Sequence, residues 1–179
     1  MKRLVASLFS GLGGLVLGCL PLTGMAEGLR SVPEYEMKAA YLYNFALLTS
    51  WPGALSGSFH VCVFGQDEYA AALEVLQGKS VGRQPIQVVY LNQPEDAQKC
   101  QVVFLSELEP KRAERLWATL SGTSALTVTD DKRQQTDSMI YLESDNRRLV
   151  FEVNMAPAKR AELTLSSKLL RLAKRVISP

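Results

Sequence analysis

Four short apolar runs constrain this chain more than any other feature: FHVCVF at 59–64, IQVVYL at 86–91, QVVFL at 101–105 and SALTVT at 124–129. None contains a lysine, arginine, aspartate or glutamate. Strands this apolar are buried on both faces, which is the pattern of a mainly parallel sheet covered by helices on either side. The segments between them supply such helices. Residues 67–76 return to helical spacing and stop at Gln77-Gly78, and Pro110 opens a charged helix through Leu120.

Both ends of the domain can be read in the same way. Ser31-Val32-Pro33-Glu34 fits a capping box with proline in the first turn, predicting a helix that starts near residue 32 and ends before Pro52. Downstream, residues 139–143 and 148–153 flank Ser144-Asp145-Asn146, the composition of a hairpin turn, so the sheet gains an antiparallel end. Residues 158–177 set Leu163, Leu165, Leu169, Leu170, Leu172, Ala173 and Val176 against Lys168, Arg171, Lys174 and Arg175, predicting a C-terminal amphipathic helix. The expected architecture is a single α/β domain over residues 27–179, with a mixed, mainly parallel, Rossmann-like sheet of five to six strands.

The first 26 residues stand apart from that domain. Lys2 and Arg3 precede an apolar run at 4–20, and Gly24-Met25-Ala26 puts small residues at the −3 and −1 positions of a cleavage site, as in a secretory signal peptide. The same run offers an alternative, because Val16-Leu17-Gly18-Cys19 resembles the box at which bacterial lipoproteins are cut and lipidated, with Leu17 a poor fit. Cleavage after Ala26 removes Lys2 and Arg3 from the 20 basic residues, leaving 18 against 18 acidic ones. A mature chain of zero formal charge gives no warrant for a nucleic-acid partner.

Cleavage also removes Cys19, leaving Cys62 and Cys100 in a compartment where disulfides form. One bridge between them is the economical reading, with two separate buried thiols as the alternative. Two cysteines this far apart with a single histidine make no metal site.

The search for catalytic chemistry finds little. His60, the one histidine, lies in a predicted buried strand with no nucleophile pattern around it, and reads as structural. The glycine of VFGQDEY is not a phosphate-binding fingerprint, and no cofactor motif is present. Asp130-Asp131 follows a predicted strand, where α/β ligand sites often sit, but a strand-to-helix cap explains the pair more simply.

The stretch YEMKAAYLYNFALLTSWP then becomes informative, because it resembles the opening signature of the YfiR family, Y-x-x-K-A-A-[YF]-[LI]-Y-N-F followed by W-P. VCVFG with KCQVVFLS resembles the family's first strand and its cysteine-containing third. SALTVTD with MIYLES, and FEVNMAPAKRAELTLSSKLLRLAKRV, resemble two further motifs in the same order. The resemblance runs from about Tyr35 to Val176.

It implies a periplasmic, non-enzymatic regulator that restrains an inner-membrane GGDEF diguanylate cyclase, YfiN, by contacting its periplasmic domain, and so lowers cyclic di-GMP and biofilm formation. It also implies that an OmpA-like outer-membrane lipoprotein, YfiB, can titrate the regulator away, and that the periplasmic redox state can act through its disulfides. Cys62 and Cys100 match the family pair that bridges two strands. No cysteine follows residue 100, so the second bridge found in some members has no counterpart here.

The same motifs mark Tyr41, Asn44, Phe45, Trp51, Asn154, Ser166 and Ser167 as either partner contacts or core and capping residues. A first helix apolar almost all round needs cover on two sides. One side is the domain's own sheet; the other is a neighbouring helix, a second subunit of a homodimer, or the target protein. An alternative function of another class is a periplasmic small-ligand sensor using the strand ends near Gly65 and Asp130.

Overall fold

In the computed structural model the described residues are 34–178, save 54, 66, 67 and 147. The predicted signal peptide, the lipoprotein alternative at Cys19 and the Ser31 cap all lie outside them. The first helix, α1 (Glu34–Leu47), has two acidic residues in its first turn, Glu34 and Glu36, where they complement the helix dipole. The central strand β2 (Phe59–Phe64) is followed by α2 (Glu68–Leu73), a 3₁₀ turn, and a short hairpin of β3 (Ser80–Val81) and β4 (Gln84–Tyr90). A second 3₁₀ segment (Pro94–Lys99) leads to β5 (Val102–Leu105), α3 (Pro110–Leu120) and β6 (Leu126–Thr129).

Strands β7 (Ile140–Asp145) and β8 (Arg148–Asn154) pair antiparallel with Asp145 opposite Arg148. The turn begins at Asn146, whose φ of 49° is one that asparagine tolerates better than most side chains. The expected hairpin is thus present, with Ser144 and Asp145 paired in the strand rather than looping out.

With a last strand β10 (Arg175–Ile177), the eight-stranded sheet has the order β10-β8-β7-β6-β5-β2-β4-β3. Neighbours are parallel except at β7/β8 and β3/β4. Six of these strands are those expected. The extra ones, β3 and β10 (Arg175–Ile177), are two and three residues long, too short to carry a period of their own. A separate two-stranded ribbon pairs β1 (Thr49–Ser50) with β9 (Thr164–Leu165).

The alternation along β2 explains the three layers. Phe59, Val61 and Val63 face one side, where Leu42, Phe45 and Ala46 of α1 join them in a core. Cys62 and Phe64 face the other side, with Ala113, Leu116 and Leu120 of α3. Those α3 positions recur at helical spacing, and Pro110 in its first turn needs no amide partner. Full burial of Leu42 and Phe45 contributes about 1.5–3 kcal/mol each.

The C-terminal helix expected over 158–177 is corrected. The segment is instead α4 (Met155–Arg160), β9, α5 (Ser167–Leu172) and β10. Glu162 takes a left-handed φ of 57° after α4, which ends that helix, and Ser166 restarts helix as the N-cap of α5 by accepting from the Leu169 amide at 3.2 Å. Beyond Leu172 the Lys174 amide donates to the Phe151 carbonyl at 2.8 Å, and Arg175, Val176 and Ile177 lie parallel to β8. Thr164, Val176 and Ile177 are β-branched, and two partner strands were available for them.

Of the two readings of the cysteines, the bridge is the one formed: Cys62 of β2 is joined to Cys100 just before β5, with Cα atoms 5.9 Å apart. The link closes a loop of 38 residues' separation. Replacing both cysteines with alanine should lower the unfolding free energy by about 2–4 kcal/mol, read from urea titrations of the oxidised parent and the double variant. An unchanged midpoint would mean that the bridge adds nothing to packing already in place.

Candidate functional site

Parallel strands β2, β5 and β6 all end on the same side of the sheet, beside the first turns of α1. Chain order reverses around β2, whose neighbours are β4 and β5, and ligands of open α/β sheets commonly sit beyond the strand ends at such a point. Here the two strand ends approach too closely to leave a gap. Gly65 has a φ of 149°, and a Cβ placed on it would come within 2.3 Å of the Ser106 carbonyl oxygen.

Next to that contact lies a cleft of about 400 Å³ lined by Lys38, Ser106, Asp130, Asp131 and Arg133 among others. Four of its charged side chains form two pairs. Lys38, 7% exposed at its side chain, reaches Glu34 at 2.7 Å and Asp130 at 2.8 Å. Asp131 pairs with Arg133 at 2.6 Å and accepts from the Arg133 amide at 3.0 Å, capping the 3₁₀ turn Lys132–Gln134. The expectation that Asp131 caps a turn is therefore met, and Asp130 has the further role of tying strand β6 to α1. Hydrogen bonding from Arg133 holds the Asp131 carboxyl below its usual range, and the hydrogen bond from Lys38 does the same for Glu34.

The family-motif residues gather elsewhere, where α1 crosses β8 and the ribbon. Tyr41 donates its hydroxyl hydrogen to the Leu149 carbonyl at 2.8 Å, and its ring meets those of Phe45 and Phe151 edge-on. Phe45 is 2% exposed and packs on Phe151 at 4.9 Å between centroids. Trp51 stands edge-on to Phe59 at 5.0 Å. Its indole nitrogen is buried without a hydrogen-bond partner among the described residues. Three aromatic candidates are thus spent largely on the domain's own core.

Asn154 and Ser166 are caps. Asn154 accepts from the Ala156 amide at 3.1 Å and donates to the Thr136 carbonyl at 3.1 Å, starting α4. The Ser166 amide donates to the Leu48 carbonyl at 2.9 Å, which joins the C-terminal motif to the end of α1. Asn44 and Ser167 are exposed, and Asn44 returns its amide hydrogen to the Ala40 carbonyl of its own helix at 2.8 Å.

His60 lies beside the disulfide, with Nδ1 3.2 Å from the Lys99 carbonyl oxygen and Nε2 3.1 Å from the Gln87 side-chain amide. It anchors the 3₁₀ segment to β2 and β4. Among the described residues no group of three or more His, Cys, Asp and Glu side chains could hold a metal ion. No described helix is long and apolar enough to cross a membrane.

Two features escaped the sequence reading. The first is which face of α1 points outward: it is the one carrying Glu36, Ala40, Asn44 and Leu47, of which Leu47 is 46% exposed. It leads to a groove of about 330 Å³ lined by Leu47, Trp51, Leu55 and Val81. Helical spacing shows that α1 has several apolar faces, but only the sheet's position decides which of them is left outside. The second is the meeting of Lys38 with Asp130, which lie 92 residues apart.

Lys38→Met should cost about 3–5 kcal/mol by leaving the Asp130 carboxylate buried without its cation. Lys38→Met with Asp130→Leu should cost clearly less than the two single changes together, as measured by a double-mutant cycle in urea. Additive costs would show that the pair is not coupled. The lowered carboxyl groups of Glu34 and Asp131 have folded-state values below their unfolded ones. Their contribution to stability is therefore complete above about pH 4–5 and is lost as pH falls through the folded-state values. Asp131→Asn should flatten that acid slope.

A family model described as YfiR/HmsC-like matches residues 35–174, more than half of the chain and nearly all of the described domain. The four motifs it spans are the ones that the disulfide, the Lys38–Asp130 pair, the Tyr41–Phe45–Phe151 ring cluster and the Asn154 and Ser166 caps draw into one structure. The chain belongs to the YfiR/HmsC-like family, a family of periplasmic regulators in cyclic di-GMP signalling.

Proposed function

We propose that this protein is a periplasmic negative regulator that restrains an inner-membrane GGDEF diguanylate cyclase of the YfiN kind by protein contact, lowering cyclic di-GMP and biofilm formation. Membership of the YfiR/HmsC-like family over residues 35–174 carries the reading. Export by the sequence at 1–26 places the protein in the periplasm on this proposal, and an OmpA-like lipoprotein of the YfiB kind is its competing partner. The protein acts by binding and not as an enzyme.

Of the three aromatic candidates Tyr41, Phe45 and Trp51, only Trp51 lies on the proposed contact surface, as a wall of the groove beside Leu47. Tyr41 and Phe45 are committed to β8, so a partner meets α1 along Ala40, Asn44 and Leu47 and enters the neighbouring groove. Exposed leucine beside a groove of mixed polar and apolar lining suits an interface anchor, and substitution there leaves the core alone. The mechanism is a population shift: binding favours the cyclase's inactive arrangement. Moving a 1:99 balance to 99:1 needs a preference of about 5.5 kcal/mol.

Deleting the gene should raise cellular cyclic di-GMP, and supplying it in trans should reverse the rise. Leu47→Glu should fail to reverse it while reaching the parent's periplasmic level. Val75→Glu, at a second exposed apolar residue outside α1, should complement fully. A deletion strain with unchanged cyclic di-GMP, grown where the parent expresses the protein, would refute the regulatory reading. Full complementation by Leu47→Glu would refute the surface alone.

A further inference from the structure

At the opposite, amino-terminal end of strands β6 and β7 lies a second cavity, of about 230 Å³. Its floor is apolar, with Leu120, Ala125 and Met139 each less than a tenth exposed. One wall is the indole of Trp117, fixed by donation from its Nε1 to the buried Gln134 side chain at 2.7 Å. Two opposite charges also line it, Asp137 from the loop before β7 and Arg160 from the last turn of α4. Both side chains are exposed at the cavity mouth, and among the described residues neither has an ion-pair or side-chain hydrogen-bond partner.

The cavity is also bordered by the C-terminal end of α3, an eleven-residue helix with no basic residue in its last turn. A helix end of this kind, a carboxylate and the face of an indole all favour a cation. The guanidinium favours a carboxylate, which it can hold through two parallel hydrogen bonds. One small molecule offering both charges next to an apolar group would answer the two charged side chains and the apolar floor. The volume is below the ~300–1,000 Å³ usual for drug-sized ligands, which limits the occupant to something smaller.

We propose that this cavity binds a free α-amino acid, with its carboxylate on Arg160, its ammonium group on Asp137 and the α3 end, and its side chain against Trp117 and Met139. The proposal does not depend on the regulatory reading, since it concerns a different surface and its test reads binding alone.

The test is calorimetric titration of the purified protein with L-alanine, L-leucine and L-phenylalanine, alongside phenethylamine and 3-phenylpropionate, which each lack one of the two charges. At least one amino acid should bind at millimolar concentration or below. Arg160→Gln and Asp137→Asn should each weaken that binding about tenfold or more, and the exposed Arg83→Gln should leave it unchanged. In the unsubstituted protein, the ligand should shift the indole N–H resonance of Trp117 more than that of Trp51, a readout that needs no variant. Silence from all three amino acids up to millimolar concentration would overturn the proposal. So would binding that ignores both substitutions, or binding of phenethylamine as tight as that of phenylalanine.

Discussion

The contact between Lys38 and Asp130 decides where the first helix lies, and much of the remaining structure follows from that placement. The ammonium group, 7% exposed, bridges Glu34 in its own first turn and Asp130 at the end of β6. Buried ion pairs rarely add much net stability, because desolvation offsets most of the attraction. What such a pair can do is reject other registers, since any slide of α1 along the sheet would strand a charge in an apolar setting. With the helix fixed at its amino end, Tyr41 reaches the Leu149 carbonyl, Phe45 meets Phe151, and Leu48 accepts the Ser166 amide. The chain's first and last motifs are then held along the full length of one helix.

This arrangement shows why part of the fold could be read from sequence and part could not. Runs such as FHVCVF are apolar on both sides, and only a covered, mainly parallel strand satisfies them, so β2, β4, β5 and β6 were visible without any knowledge of their partners. Residues 158–177 show the opposite case. Their leucines fall at helical spacing, yet Leu163 and Leu165 are buried by the turn at Glu162 and by the ribbon with Thr49 and Ser50. Val176 and Ile177 pair with β8 as an edge strand. Spacing records which residues want burial; it does not record that a neighbouring strand edge is open to receive them. A serine at 166 able to cap a new helix was the one local sign of a break.

The site residues divide along the same line. Cys62 and Cys100 could be paired from compartment and count, and the family motifs pointed to Asn154 and Ser166 without separating capping from contact. Capping is a local act, but it needs the backbone geometry before it can be told from recognition. Asp130 and Asp131 looked like one strand-end feature and have two separate tasks, because their partners come from different directions: Arg133 two residues on, and Lys38 on another element. No periodicity could have joined position 38 to position 130. Trp117, Asp137 and Arg160 are likewise brought to one cavity by three elements that have no spacing in common.

The two ends of the sheet therefore differ in chemistry. At the carboxyl end the strand ends of β2 and β5 close on each other, and the cleft beside them holds two ion pairs, Lys38–Asp130 and Arg133–Asp131. At the amino end an exposed carboxylate and an exposed guanidinium, unpaired among the described residues, border an apolar floor. The segment beginning with α4 connects this second end to α1: Arg160 borders the cavity, and a few residues later Thr164 and Leu165 pair with Ser50 and Thr49, just beyond Leu47. Proximity along a chain is not coupling. Occupancy of the cavity changes partner binding only to the extent that the two arrangements of this segment, with and without partner, hold the ligand with different affinity. The ribbon of β1 and β9 is where such a difference would have to be expressed, because it is the backbone link between the cavity's α4 wall and the exposed end of the first helix.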